Sequence, residues 1–458
     1  MERQIIVVGS GISGTVCAYE LKRRGYDVIL LEAKVQPGGR TASFSFNIDG
    51  QPISFNAGAA WIHRGKENPI WQYVNDFQVK TVENNGQVGF VEKMYLASGT
   101  LLNENDVQQT EKVLKQIQQH FAVKARSLQC DKPISELVEE ILQEHPEIRA
   151  TLENNERVRT TTYWLFDEYG QYEATTLNNL SSINNDFEFG RDDKNLSNYG
   201  IDHTVITYAN LIEKMLATLP AGSVYFNDPV TDIHYGTKNE KHAVTVRTRA
   251  NKIYKAEKVV ITASLGVLKA GKINFNPPLP QRKLDSIAKC GFGALEKITL
   301  HFEQAFWDSS INAFAMLDCP ISYWANMVPV YHLPVIVGFF APPFSYKIND
   351  EKWSDEQVVA YALSLFKQYY NIPTLPKLLN SHVTRWTADP WTLGSYSYKS
   401  FRATMQDIEI ISEPVENQLF FAGEHTSLEA NSYAHGAVLS GLRECNRIHQ
   451  SYPARASL

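Results

Sequence analysis

A glycine-rich turn near the start of the sequence is the feature that most restricts the fold. The apolar run at residues 5–8 is typical of a parallel strand buried on both faces. Three glycines follow at the spacing G-x-G-x-x-G, and a helical pattern then runs to Gly25, a suitable residue to end a helix. The first glycine permits a tight bend, the second lets backbone approach a pyrophosphate, and the third lets the helix pack on the strand. This pattern predicts a dinucleotide-binding unit, whereas a glycine turn that only packs a βα unit is the alternative. The expected contact residues are Gly9, Gly11, Ser13 and Gly14.

The residues after the second predicted strand indicate which dinucleotide is bound. Asp27–Leu31 forms that strand and brings Glu32 to its end. A carboxylate there accepts hydrogen bonds from ribose hydroxyls and repels a 2′-phosphate, which favours FAD or NAD over NADP. Gly38, Gly39 and Arg40 follow, and a glycine pair beside a fixed cation suits a phosphate or a flavin edge better than a nicotinamide site. The sequence therefore favours FAD.

A central segment returns to the strand-forming pattern of the first domain. Residues 258–262 form an apolar run like the opening strand. Shorter strands are predicted before it, at 224–226, Val230–His234, 243–249 and 253–255, the last two forming a hairpin that turns at Ala250 and Asn251. This segment is interpreted as the nucleotide domain, resumed after an insertion.

The insertion, roughly residues 86–203, has a helical pattern. Residues 103–121 carry apolar side chains at helical spacing, and Ser135 is expected to cap a second helix. Ser354 and Gln357 predict a capping box before a third helix. The pattern predicts an α/β protein in which an α+β second domain is threaded twice from the first. The first domain comprises residues 1–85, 204–288 and 400–458, and the second comprises 86–203 and 289–399.

Length, charge and cysteine content indicate how many domains the protein has, which ligands suit it and in which compartment it works. A chain of 458 residues suggests two or three domains. Its net charge of −6 disfavours non-specific nucleic-acid binding and is compatible with a cationic ligand. The five cysteines are far apart with no C-x-x-C pair, which argues against a disulfide framework or a metal site and suits a reducing compartment. Because we find no signal-peptide pattern and no apolar run of about 18 residues, we expect a cytoplasmic protein with no membrane contact. The oligomeric state is left open.

Five further motifs occur in order along the chain. They are "FNAGAAWIHRG" from Phe55, "SLGVLKA" from Ser264, "GFGALEKITLHF" from Gly291, "RWTADPWTLGSYSY" from Arg385 and "FFAGEHTSLEANSYAHGAVLSGLRE" from Phe420. With the glycine turn they resemble the flavin-dependent amine oxidases, the superfamily of polyamine oxidases, monoamine oxidases and lysine-specific histone demethylases. The chain most resembles polyamine oxidases of the spermine oxidase or acetylpolyamine oxidase type. The resemblance implies a Rossmann-related, GR2-like FAD-binding domain interleaved with an α+β substrate-binding domain.

The resemblance also implies a reaction. Hydride passes from the carbon α to an amine nitrogen to flavin N5, the imine hydrolyses, and oxygen re-oxidises the flavin to give hydrogen peroxide. The implied substrates are polyamines, namely spermine, spermidine or acetylated forms. No cysteine stands near Tyr433, where monoamine oxidases attach their flavin, so the FAD is expected to be non-covalent.

Residues that match the motifs take implied roles in catalysis and substrate binding. Lys297 matches the lysine that holds a water against flavin N5, whereas a solvated strand lysine is the ordinary alternative. Tyr396 and Tyr433 match the two aromatic residues that flank the substrate amine, and core tyrosines are the alternative. Trp61 and His63 match the "WIH" signature beside the substrate tunnel. His63 could bind or deprotonate an amine, because imidazole commonly titrates near neutral pH, or it could be a structural hydrogen-bonding group.

Other residues match positions that contact the cofactor. Glu424 matches the acid beside the ribityl and pyrophosphate groups, with Gly423 allowing close approach. Val230 matches a residue whose backbone meets the adenine. The remaining expected contacts are Gly58, Ala59, Ala60, Trp61, Tyr433 and Ala434.

Three positions depart from the polyamine oxidase pattern. Arg64 replaces a glycine, and its charge would oppose a polycation unless it is turned away or paired. Thr207 and Ser264 replace a glycine and a proline and are interpreted as scaffold changes. Acids that could hold the far amines of a polyamine are Asp167, Glu168 and Glu173. Such groups are more often simply exposed.

Two alternatives stand beside the polyamine oxidase hypothesis. One is oxidation of another primary or secondary amine or of an L-amino acid, in which Arg64 or a neighbouring arginine would clamp the carboxylate. The other is a flavin-bearing interaction protein with little turnover. Histone demethylation is disfavoured because the sequence has no additional helical module and no long protruding insertion.

Overall fold

The computed structural model describes residues 3–63, 65–83, 91–185, 187, 203–236 and 244–452. Arg64, the departure that bears on substrate charge, lies outside the described residues, as does residue 243 at the start of the predicted hairpin. The described α-helices are α1 (Ile12–Arg23), α2 (Ile70–Asp76), α3 (Glu104–Ser127), α4 (Ile134–Glu144), α5 (Pro146–Asn154), α6 (Glu156–Tyr172), α7 (Tyr208–Leu216), α8 (Leu265–Lys269), α9 (Gln281–Lys289), α10 (Val328–Tyr331), α11 (Phe344–Asp350), α12 (Asp355–Tyr369), α13 (Met405–Ser412) and α14 (Ala434–Gln450).

The described strands form six sheets. They are β1 (Gln4–Val8), β2 (Asp27–Leu31), β3 (Ser43–Ile48), β4 (Gln51–Asn56), β5 (Trp61–Ile62), β6 (Thr81–Glu83), β7 (Lys93–Tyr95), β8 (His203–Val205), β9 (Val224–Tyr225), β10 (Val230–His234), β11 (Val244–Thr248), β12 (Ile253–Ala256), β13 (Lys258–Ile261), β14 (Asn274–Asn276), β15 (Gly291–Phe292), β16 (Glu296–Phe302), β17 (Ala313–Met316), β18 (Tyr323–Asn326), β19 (Val335–Phe340), β20 (Leu378–Val383), β21 (Ser397–Tyr398) and β22 (Leu419–Phe421).

A five-stranded sheet carries the predicted nucleotide-binding turn. Its strand order is β22-β13-β1-β2-β9, and every neighbouring pair is parallel. The carboxyl ends of parallel strands lie at one edge of a sheet, where α/β proteins bind their ligands. Gly9 follows β1, Glu32 follows β2 and Gly423 lies just after β22. The end of the chain therefore returns to the same edge of the sheet as the first two strands.

The parallel sheet is covered on both faces, as the apolar run of β1 predicts. Val7 packs on one side with α1, α7 and α14, and Val8 packs on the other with the sheet β12-β11-β10-β14. Helices α1 and α14 touch so closely that a Cβ atom at Gly441 would lie 2.5 Å from the carbonyl oxygen of Ser13. The hydroxyls of Ser13 and Ser440 are 3.1 Å apart. The first helix of the sequence is thus fixed against a helix formed more than 400 residues later.

A second large sheet has six strands. Its order is β20-β16-β19-β18-β17-β7, and α12 packs over one face through residues such as Phe366. Aromatic residues of the β3–β4 hairpin lie over the opposite face, where the rings of Phe44 and His382 are 3.8 Å apart. Helices α3 to α6 pack into a separate cluster. The boundaries of the two predicted domains remain a prediction.

The predictions made from local signals have mixed outcomes. Ser354 and Gln357 form the expected capping box at the start of α12, and Gly25 follows α1 with a left-handed φ of +80°. The prediction that Ser135 caps a helix is wrong, because α4 already begins at Ile134 and Pro133 occupies the capping position. Proline has a φ suited to a helix start and needs no hydrogen-bond acceptor, so the helix begins earlier than the serine indicates.

In the part of the chain that the structure describes, we find no helix that combines the length and the apolar character needed to cross a membrane.

Candidate active site

A cavity of about 550 Å³ runs along the carboxyl edge of the parallel sheet and reaches the six-stranded sheet. The predicted site residues that line it are Gly9, Gly11, Ser13, Glu32, Gly38, Gly39, Arg40, Gly58, Ala59, Ala60, Trp61, His63, Val230, Lys297, Tyr396, Gly423, Glu424, Tyr433 and Ala434. Gly14 does not line it. A Cβ atom at Gly14 would lie 2.1 Å from the carbonyl oxygen of Gly9, so Gly14 allows α1 to pack on the turn rather than facing the cavity.

Two glycine segments form the floor of the cavity. Gly9 and Gly38 have φ values of +102° and +107°, a backbone conformation that glycine adopts without strain. The Gly38 amide donates to the carbonyl oxygen of Ser10 at 3.0 Å, and Gly38 forms a β-bridge with Gly11. The first turn and the glycine pair therefore lie side by side, with bare backbone next to the cavity.

The carboxylate of Glu32 is held in one orientation at the cavity wall. Its Oε2 accepts from the Ser10 amide at 2.7 Å and from the Ser10 hydroxyl at 2.6 Å. Its Oε1 accepts from the amide of Lys34 at 2.8 Å. A buried carboxylate fixed in this way has lone pairs in set directions, as recognition of ribose hydroxyls requires.

Arg40, which is partly buried, and Glu424, which is buried, form an ion pair beside the second glycine segment. The Arg40 guanidinium donates to Glu424 Oε1 at 2.6 Å and to the carbonyl oxygen of Ser395 at 3.0 Å. Glu424 also accepts from the Ser432 amide at 3.0 Å and from the Ser397 hydroxyl. Burial opposes ionisation of Glu424, but the charge of Arg40 and these donors outweigh it, so the pKa of Glu424 lies below its usual value. The pair fixes a cation and an anion next to the cavity.

Lys297 lies on β16, between β19 and β20, where every residue is buried. Its side chain is 7 % exposed, its Nζ donates to the carbonyl oxygen of Gly58, and the Nζ lies 5.2 Å from the ring centroid of Trp61 and 5.3 Å from that of Phe339. Burial lowers the pKa of Lys297 to about 7, and we find no ion pair to a described carboxylate that would offset it. The amine can therefore exchange a proton near neutral pH.

Three tyrosines meet elsewhere on the cavity wall. The hydroxyl oxygens of Tyr172 and Tyr433 are 2.7 Å apart, and the Tyr396 hydroxyl donates to the backbone oxygen of Tyr172 at 2.7 Å. The rings of His63 and Tyr433 are 5.6 Å apart and nearly perpendicular. Burial raises the pKa of the Tyr396 phenol, which keeps it protonated. The two tyrosines expected to flank an amine are thus joined by a third.

Two of the three candidate acids line the cavity. Glu168 and Glu173 belong to the lining, whereas Asp167 does not. Burial raises the pKa of both lining carboxyls to about 7, and the nearby charge of Lys399 opposes this rise at Glu173. Above that pH the cavity carries two negative charges on or just after α6.

Several residues of this site are not among those predicted from the sequence. Tyr172 carries a recognisable signal, because it lies four residues after Glu168 and a helix places both on one face. Lys34 lines the cavity and forms an ion pair with Asp389, which is 355 residues away. Phe339 lines it from β19. The contacts of Lys34 and Phe339 join distant segments and have no local signal.

These features fit an FAD molecule. Left-handed glycines, the fixed Glu32 carboxylate and the Arg40 guanidinium are the groups that a pyrophosphate and a ribose need. A Cβ atom at Gly58 would lie 1.8 Å from the carbonyl oxygen of Arg40, so Gly58 must stay bare beside Lys297. One wall of the cavity therefore carries the groups that bind a nucleotide, and another carries the Lys297 amine, which can exchange a proton.

Comparison with known proteins agrees with this geometry. The sequence model described as "Flavin containing amine oxidoreductase" matches residues 12–449. Polyamine oxidase 5 of Oryza sativa subsp. japonica is 29 % identical over 457 residues, which cover 97 % of this chain and 87 % of that protein. "Possible lysine-specific histone demethylase 1" of Drosophila melanogaster is 26 % identical over 580 residues, covering 98 % of this chain and 63 % of that protein. The chain also spans 56 % of "Protein FLOWERING LOCUS D" of Arabidopsis thaliana, at 27 % identity. It thus covers less than two thirds of the length of these latter two relatives.

A solved structure has the same fold. Wild-type putrescine oxidase bound to putrescine superposes with a TM-score of 0.76 at 17 % identity, covering 98 % of this chain and 99 % of that one. The fold is therefore that of the FAD-dependent amine oxidases, with FAD as cofactor. Because the family match spans nearly the whole sequence, this protein belongs to the flavin containing amine oxidoreductases.

Proposed function

We propose that this protein oxidises polyamines such as spermine, spermidine or their acetylated forms, with oxygen as acceptor and hydrogen peroxide as product. The observation that carries the proposal is the pair of carboxylates, Glu168 and Glu173, in the same cavity as the tyrosines and Lys297. A monoamine needs one cation site, whereas a polyamine has several charges to place. Similarity to the rice polyamine oxidases, at 28 % and 29 % identity, supports the same substrate class.

Substrate binding would use charge and aromatic surface together. The carboxylates of Glu168 and Glu173 attract the distal ammonium groups, more strongly in a cavity than in open water. The faces of Tyr396 and Tyr433 attract the reacting amine and suit a slim alkyl chain. We place the reacting carbon between these rings. The bound FAD would accept the hydride.

Proton transfer falls to the chain's own residues. Hydride can leave only from a neutral amine, so an ammonium must first lose a proton. Lys297, with a pKa of about 7, can take up that proton near neutral pH. When charged, its Nζ has three hydrogens, of which one is used by the carbonyl of Gly58. The other two can orient a water molecule for hydrolysis of the imine product. His63, beside Tyr433, is the second candidate base.

A second candidate substrate is a methylated lysine in a peptide. The favouring observation is the 26–27 % identity to proteins named lysine-specific histone demethylases, close to that of the polyamine oxidases. A peptide lysine has only the reacting amine and no distal ammonium group, so it would not use the charges of Glu168 and Glu173.

The test is a substrate panel with FAD-loaded protein. Anaerobic bleaching of the flavin absorbance is followed after adding spermine, spermidine, an acetylated spermidine, a monoamine, an L-amino acid or a dimethyl-lysine peptide, and peroxide is measured in air. We expect the polyamines to give the largest kcat/KM. Faster reduction by the monoamine, the amino acid or the peptide contradicts the polyamine assignment. No bleaching by any amine, despite bound FAD, contradicts turnover itself.

The carboxylates provide a sharper test of substrate charge. At about pH 8, above the pKa of Glu173, Glu173→Gln is expected to raise KM for spermine about tenfold, because one charge contact of about 1.4 kcal/mol is lost. KM for a monoamine should change less than twofold. Asp167→Asn is the matched control, since it removes the same charge from the same helix outside the cavity. Equal effects of the two variants on spermine would contradict a direct role of Glu173.

A further inference from the structure

Tyr172 is the final residue of α6 and touches both tyrosines of the proposed amine site. Its hydroxyl is 2.7 Å from the Tyr433 hydroxyl, just before α14. Its backbone oxygen accepts from the hydroxyl of Tyr396 at 2.7 Å, just before β21. Two segments, each more than 200 residues further along the chain, therefore meet at Tyr172.

The two links differ in what they depend on. The contact with Tyr396 uses a backbone oxygen, so it is available whatever side chain stands at position 172. The contact with Tyr433 needs a hydroxyl at position 172. A phenylalanine there would remove one link and leave the other. The function of the side chain can therefore be tested by removing one atom, the hydroxyl oxygen of Tyr172.

Core packing does not account for the placement of Tyr172. Its side chain is 48 % exposed, and it belongs to no hydrophobic cluster among the described residues. Tyr169, one turn earlier on α6, does pack against the helical cluster. The exposed surface of Tyr172 faces the cavity that it lines. What holds its ring is therefore the contact with the site rather than the interior of the protein.

A tyrosine ring has two rotatable bonds, and fixing its hydroxyl fixes the direction of its face. The ring of Tyr433 has its hydroxyl tied to Tyr172 at one end and the ring of His63 beside it. Tyr396 has its hydroxyl tied to the same residue. The spacing between the two faces thus depends on the position of the α6 terminus.

We propose that Tyr172 is a positioning residue that sets the spacing and tilt of Tyr396 and Tyr433, and thereby the width of amine that fits between them. The inference rests on the proposed function only in that the ligand is an amine held between these two rings. Glu168 and Glu173 lie on and just after the same helix end. The end of α6 would then control both the width and the charge of the site.

The test compares Tyr172→Phe with Tyr163→Phe. Tyr163 lies on the same helix, is 47 % exposed and contacts Phe166 rather than the cavity. With the amine that the wild type oxidises best, we expect Tyr172→Phe to raise KM three- to tenfold while kcat falls less than twofold. Discrimination against the N-benzyl form of that amine should weaken by a similar factor. Tyr163→Phe should leave all three quantities unchanged, and both variants should melt within about a degree of the wild type.

A double variant separates positioning from direct contact with substrate. If the hydroxyl of Tyr172 acts through Tyr433, then Tyr172→Phe/Tyr433→Phe should bind amine no more weakly than Tyr433→Phe alone. Additive losses would mean that the Tyr172 hydroxyl contacts the substrate itself, which overturns the inference. Identical constants for Tyr172→Phe and Tyr163→Phe would overturn it as well, while leaving the proposed function intact.

A binding measurement keeps the inference testable without turnover. Hexyltrimethylammonium is a fixed cation that aromatic faces attract and that cannot be deprotonated. Its Kd for the FAD-loaded protein is measured by calorimetry. We expect at least a threefold weaker Kd in Tyr172→Phe than in Tyr163→Phe. Equal Kd values contradict the inference even if the wild type oxidises none of the amines tested, an outcome that by itself contradicts only the proposed function.

Discussion

Two buried lysines whose pKa values are lowered by burial, Lys283 and Lys297, occupy different surroundings. Lys283 is 2 % exposed, and its Nζ donates to the carbonyl oxygens of Ile410, Ile411 and Glu413 at 2.5, 2.7 and 2.8 Å. These oxygens lie at the end of α13, where a cation offsets the negative end of the helix dipole. Lys297 donates to one carbonyl oxygen and otherwise faces the cavity.

Burial lowers the pKa of both amines to about 7. The pKa therefore does not distinguish a structural lysine from a functional one. The distinction lies in the hydrogens of the amine. All three donors of Lys283 are used by backbone oxygens, whereas Lys297 keeps donors directed toward space that a ligand can occupy.

Replacement of Lys297 is expected to have the largest effect. Lys297→Met should slow flavin reduction or re-oxidation at least tenfold, because the group that exchanges protons beside the amine is lost. FAD should stay bound, since the glycine turn, Glu32 and Arg40 are untouched. Both half-reactions are measured by stopped-flow absorbance. An unchanged turnover number would contradict the role of Lys297 and remove the basis of the comparison.

For Lys283→Met we expect a loss of stability with little change in turnover. Three carbonyl oxygens at the end of α13 would lose their donor, which we expect to cost about 2 kcal/mol and to lower Tm by about 2 °C. Turnover per bound flavin should stay within twofold of the wild type. Thermal unfolding with excess FAD gives Tm, and the substrate assay gives turnover per bound flavin. A large loss of turnover with normal Tm would contradict a structural role.

Replacement of His63 tests whether a second residue of the cavity, besides Lys297, takes part in proton exchange. His63→Ala should raise KM for amines about threefold or shift the pH profile of kcat/KM, because a second basic group beside Tyr433 is lost. Tyr163→Phe, on the outside of α6, is the matched control. An identical pH profile and KM in His63→Ala and wild type would assign His63 to structure alone.

The pH dependence of stability should show a smaller effect shared by both lysines. Each has a pKa of about 7 in the folded protein and 10.5 as its ordinary value. Between these values the unfolded chain binds a proton that the native chain does not, so stability rises with pH over this range. Relative to wild type, Lys297→Met should be most stable near pH 7 and lose that advantage as the pH rises.

Tm measurements between about pH 7 and 9, in excess FAD, give this difference. Lys283→Met should show the same slope superimposed on its overall loss of stability. A Tm difference between Lys297→Met and wild type that does not vary with pH would mean that Lys297 stays protonated in the fold.

The parts predicted well from the sequence are those set by neighbouring residues. The strand, turn, helix and acid between Gln4 and Glu32 follow from apolar runs and glycine spacing, and the structure confirms each element. The capping box of α12 is of the same kind. The cap predicted at Ser135 is wrong because the proline two residues before it, rather than a side-chain acceptor, determines where α4 begins.

The surroundings of Lys297 are formed by residues that are not its neighbours in the sequence. Strand alternation correctly separates Lys297 from Ile298 and Leu300, but alternation alone would expose its face to water. That face is buried because Trp61 and Phe339 come to lie within about 5 Å of the amine. Contacts between segments that are not neighbours in the sequence leave no periodic signal, and the contacts of Tyr396 and Tyr433 with Tyr172 lack such a signal for the same reason.

The contact between α1 and α14 also sets the order of events during synthesis. Ser13 and Ser440 are 427 residues apart. At about 5–20 residues per second, a ribosome needs roughly 20 to 85 s to make the second after the first. For most of that interval the glycine turn lacks the segment that carries Gly423 and Glu424. The wall of the cavity that holds FAD is therefore completed late in synthesis, and we expect a polypeptide that ends before Gly423 to bind FAD more weakly than the whole chain.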